Sequence, residues 1–142
     1  MIQGSEPVGR RAVVAALWVT AALNVAYWVL FFSTGAVQTS REPCYLAFEG
    51  AFPAADGWLA VLCVICARQL QARRPGAVVS GIAAGSAFVY LGLMDTLYDL
   101  EHNLYASIGP EMLGEIGICL TCFLFGPFLM SYVWSHRRWL GA

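Results

Sequence analysis

From Ala12 to Phe32 the chain carries 21 residues without a charged side chain. A helix of that length rises about 30 Å, the thickness of a bilayer's hydrocarbon core. The pattern recurs at about 45–67, 77–97 (continuing toward Tyr105) and 111–134. Pro75-Gly76 and Gly109-Pro110 break the second and third connections. With 59% hydrophobic and only 12% charged residues, the chain is far from the roughly one quarter charged of soluble domains. The expectation is an all-α integral membrane protein. It would be one domain over 1–142, a bundle of four transmembrane helices at about 12–32, 45–67, 77–105 and 111–134. The first run is too long for a signal-peptide core, so it should stay as a membrane helix.

The second helix is the hardest to place. Gly57 to Ala67 is too short to span, so the helix has to begin near Tyr45 and pass through Pro53. A proline there removes a hydrogen bond and predicts a kink; Pro127 predicts another in the fourth helix.

Charge is segregated along these helices. Arg10, Arg11, Arg68, Arg73, Arg74, Arg137 and Arg138 fall at one end, and only Arg41 at the other. By the positive-inside rule both termini are cytoplasmic, in a multi-pass protein of the cell membrane. Eight of the nine acids, all but Glu6, fall in the opposite half. Nothing in this pattern suggests a surface for nucleic acid.

Asp56 is the most telling acid. It sits 12 residues from Arg68, about 18 Å into the core. Intramembrane carboxylates face a partner or a cavity and mark functional sites. Asn24, 13 residues from Arg11, reaches a similar depth, which predicts an Asn24–Asp56 hydrogen bond. Glu49 precedes Asp56 by two helical turns. Asp95 and Glu115 fall near the interface on the third and fourth helices. Tyr27, Trp28, Trp58 and Tyr98 supply aromatic walls at these levels.

This constellation supports three functions. The first is an enzyme using intramembrane carboxyls, Asp56 as acid with Asp95 or Glu115 as base and Asn24 beside them. Its chemistry would be cyclisation, isomerisation or epoxide opening of a hydrophobic, lipid-like substrate held by Tyr27, Trp28, Trp58, Tyr98 and Glu49. It needs no cofactor. The second is a cation-binding protein or transporter, with a divalent cation held by Asp95, Asp99, His102 and Glu111. With Glu6, ahead of the first helix, as its one acid, the arginine half offers no continuous ion path. The third is an accessory subunit of a membrane complex.

Two motifs take plainer readings. Cys63/Cys66 and Cys119/Cys122 have CxxC spacing, but inside apolar helices, where thiols serve as small packing groups. Gly81 and Gly85 form a GxxxG face, suited to close helix packing in the bundle or to a homo-oligomer.

Overall fold

The computed structural model describes residues 6–106 and 108–142. The chain is all-helical, with no strand among the described residues: α1 Arg10–Ser33, α2 Pro43–Glu49, α3 Phe52–Gln71, α4 Gly76–Glu101 and α5 Pro110–Ser135, with a 3-10 turn at Leu104–Ala106. Four stretches, Arg10–Ser33, Pro43–Gln71, Gly76–Glu101 and Pro110–Ser135, are long and apolar enough to cross a membrane. Their outward faces carry large apolar side chains such as Leu23, Val29, Val79 and Leu124, all more than half exposed. Such faces are compatible with a membrane.

Two expected boundaries move. The second span is two helices, not one running through Pro53. The chain turns at Gly50–Ala51, where the Ala51 N–H bonds back three residues to the Phe48 carbonyl. Proline has no N–H to give, so Pro53 falls in the first turn of α3, where none is required. The third helix stops at Glu101, short of Tyr105. Asn103 adopts the left-handed conformation (φ 57°) that ends it. α5 runs unbroken through Pro127.

The helices pack in the order α1 on α3, α3 on α4, α4 on α5. The α4–α5 contact is the closest, and its glycines explain why. A Cβ on Gly85 would lie 2.6 Å from the Gly126 carbonyl oxygen, and one on Gly81 would lie 2.6 Å from Val133 Cγ1. The GxxxG face expected to pack closely is therefore filled by α5 of the same chain. Cys63, Cys66, Cys119 and Cys122 are buried free thiols; Cys44 is exposed.

The arginine end is tied together by its own side chains. Arg10 donates to the Leu70 and Gln71 carbonyls at 3.3 Å, joining the start of α1 to the end of α3. Arg73 lies 4.2 Å over the Trp139 ring. Arg10 also bonds Glu6 at 2.8 Å and holds that exposed carboxyl below the usual carboxylate range.

α1 and α5 make no extended contact with each other. The four spans thus form an open arc. The gap between its first and last helices places the site.

Candidate functional site

Inside the arc is a cavity of about 460 Å³, lined from all five helices. α1 supplies Asn24, Tyr27 and Trp28; α2 supplies Glu49; α3 supplies Phe52 and Asp56; α4 supplies Phe88 and Asp95; α5 supplies Glu115. The remaining wall is largely aliphatic, with Leu23, Leu59, Leu91 and Ile118. A volume in the range of about 300–1,000 Å³ with apolar walls and a few convergent polar groups is the usual shape of a small-molecule site.

The turn at Gly50–Ala51 directly follows one of the site's acids, Glu49. It makes α2 a separate short helix, and α2 carries Glu49 to the carboxyls of α4 and α5. Carboxylate oxygens of Glu49, Asp95 and Glu115 all lie within 4.8 Å of one another. Glu49 is 5% exposed and Glu115 7% exposed. No arginine or histidine pairs with any of the three: Arg10–Glu6 is the sole ion pair among the described residues. Charge on three such groups is relieved in only two ways, by protons shared among them or by a bound cation.

Asp56 occupies a separate part of the wall. Its Oδ2 accepts the indole N–H of Trp28 at 2.9 Å. Asn24 is a further polar neighbour of the same carboxyl. α1 thus presents two side chains to Asp56, Trp28 and, one turn earlier, Asn24, which also lies within hydrogen-bonding reach. Trp28 itself is locked by ring contacts with Tyr27 and Phe31, both with centroids 5.2 Å away.

Other expected site residues fall elsewhere. Trp58 is 59% exposed and does not line the cavity. It is two residues from Asp56, and helical neighbours at that spacing point to nearly opposite faces. Tyr98 also lies off the cavity wall. Its ring stacks between Phe48 and His102, each at 3.9 Å, so it buttresses α2 against α4. His102 turns Nδ1 to the Tyr98 carbonyl at 2.9 Å. Asp99 is 2% exposed beside Tyr105, with Oδ2 lacking a hydrogen-bond partner. Burial, and after it the negative charge of Asp99, push the Tyr105 hydroxyl up to about 12. Glu111 is exposed at the start of α5, in a smaller hollow of about 250 Å³ that shares Tyr27 and Glu115 with the main cavity. Of the four ligands expected for a cation, only Asp95 joins the trio; Glu49 and Glu115 take the other places.

The chain matches no protein-family model, no curated protein and no solved structure.

Proposed function

We propose that this is a multi-pass protein of the cell membrane that admits a hydrophobic small molecule to the cavity within its helical arc and acts on it by general acid–base chemistry. The convergence of Glu49, Asp95 and Glu115 in a cavity with otherwise apolar walls carries this reading. The arginine end faces the cytoplasm, which sets the carboxyl cluster toward the opposite leaflet.

In this reading the trio holds and relays protons, since carboxyls this close are poised to share them. Asp56, fixed by Trp28, is a single carboxyl aimed at the substrate's apolar body. It serves as the acid where a carbon–carbon double bond accepts a proton. A member of the trio then takes the proton lost from a neighbouring carbon. Tyr27 and Phe88 on the wall favour a positively charged intermediate through their ring faces. Protonation followed by deprotonation covers isomerisation and cyclisation alike, and no cofactor enters either step.

The test is solvent-proton transfer. Purified protein reconstituted with a membrane lipid extract in deuterated water should produce a species carrying one carbon-bound deuterium, read by mass spectrometry. Asp56→Asn and Asp95→Asn should lose it. Deuteration unchanged in both variants, or none above a protein-free control, rejects the reading.

A second reading has its own observation. Three carboxylate oxygens from three helices can hold a divalent cation. Elemental analysis of purified protein would then find one metal ion per chain, lost in Glu115→Gln.

A further inference from the structure

The cavity is open to one side. α1 and α5 do not pack together, and the gap between them is bordered by Leu23 on α1 and Gly114, Gly117 and Ile118 on α5. A Cβ placed on Gly114 or Gly117 would meet nothing within 4 Å, so neither glycine is there to let another helix of this chain approach. Leu23 is 63% exposed and Ile118 42%. In a membrane, this slot faces acyl chains.

At the acidic end the geometry is different. Glu49 is 95% buried (5% exposed), lines the cavity and makes no side-chain hydrogen bond among the described residues. A buried carboxyl left unpaired is costly and wants a donor. The three carboxylate oxygens are acceptors spread over at most 4.8 Å. A primary ammonium offers three N–H donors in a tetrahedral fan. With N···O distances of about 2.8 Å, its three acceptors sit about 4.6 Å apart. A calcium ion draws its oxygens to about 2.3–2.6 Å and takes six to eight of them. Here three protein carboxyls open onto an apolar space much larger than an ion.

We propose that the cavity binds an amphiphile with a primary ammonium head. The three N–H groups bond Glu49, Asp95 and Glu115, and the hydrocarbon tail lies along the apolar wall and leaves between α1 and α5. This rests on reading the cavity as a small-molecule site and names the class of molecule. It places Asp56, seven residues on from Glu49, against the tail carbons beyond the head.

The experiment is thermal unfolding of the full chain in mild detergent, followed by tryptophan fluorescence. The probes are dodecylamine, dodecanol, dodecyltrimethylammonium and calcium chloride. Dodecylamine at a hundredfold excess over its dissociation constant should raise the midpoint by about 5–10 °C. The shift should vanish in Glu49→Gln and in Glu115→Gln, and shrink in Gly117→Leu, which narrows the slot but leaves the carboxyls. If one glutamine variant fails to fold, the other and Gly117→Leu still decide the question. Equal shifts from dodecanol or the trimethylammonium overturn head recognition and leave the cavity reading intact. A shift from calcium alone, lost in the same variants, replaces the ammonium with a metal ion. No shift from any probe overturns the ligand class, while deuterium transfer judges the acid–base reading separately.

Discussion

Trp28 donates its indole N–H to Asp56 at 2.9 Å, joining α1 to α3 within the apolar interior. The bond holds one carboxylate oxygen of Asp56, a residue of the cavity wall. Trp28→Phe keeps the ring and removes the donor. Hydrogen bonds in membrane proteins contribute about 0.6–1.7 kcal/mol, so the variant should unfold more easily by that order. In Asp56→Leu, which offers no acceptor, the same Trp28→Phe change should cost less. A double-mutant cycle of unfolding free energies in detergent checks this, and additive effects would mean the bond contributes nothing.

The α4–α5 seam is set by backbone, not by side chains that can swing aside. A Cβ on Gly85 meets the Gly126 oxygen at 2.6 Å, and one on Gly126 meets the Gly85 oxygen at 2.8 Å. Either alanine has to push the helices apart. Gly85→Ala and Gly126→Ala should each lose about 1–3 kcal/mol. Gly114→Ala, with open space around its new methyl, should change stability little. Equal behaviour of the three variants in thermal unfolding would contradict the packing described.

Much of this arrangement was legible in the sequence, and its gaps have physical causes. Four apolar runs and the segregation of arginine from acid gave the spanning helices and the acidic end. Depth counting set Asn24 and Asp56 at one level, within reach of each other, but it did not reveal the indole four residues on, which bonds the same carboxyl. The i, i+4 logic grouped Asp95 with Asp99 and His102, because it sees one helix at a time. Asp99 instead packs beside Tyr105, and His102 stacks on Tyr98. The partners of Asp95 come from other helices, Glu49 from α2 and Glu115 from α5, and a pattern read along one helix does not reveal them.

The cysteines give a simple check on burial. Four thiols are inside the helical packing and Cys44 alone is exposed. A maleimide should therefore modify one cysteine per chain in the folded protein and five after denaturation, counted by intact mass. Rapid labelling at Cys63 or Cys66 would contradict the packing of α3.

Tyr105 predicts an alkaline limit. Its hydroxyl is shifted from the ordinary value of 10.0 to about 12 by burial first, with Asp99 adding to it. The fold keeps the phenol neutral, whereas the unfolded chain ionises it near 10. This raised folded value leaves the stability contribution whole below pH 10 and erodes it from there to about pH 12. Tyr105→Phe removes the titration. Between pH 10 and 12 the wild type should lose stability relative to this variant, by unfolding measured at fixed temperature, with no such divergence from pH 7 to 9.

The carboxyl trio sets stability against function. Glu49, Asp95 and Glu115 lie within 4.8 Å without a basic side chain among them. Without a bound partner, they either repel one another or hold protons in a place that leaves their donors and acceptors poorly matched. Glu115→Gln preserves the shape of the side chain and supplies an amide that can donate to a neighbouring carboxylate. The ligand-free protein should gain about 0.5–2 kcal/mol, as commonly happens when a strained functional group is replaced. The same change should abolish solvent-proton transfer and remove the stabilisation by dodecylamine. Thermal unfolding with and without the amine reads both halves. A variant less stable than wild type with no ligand present would show that Glu115 is held there for the fold.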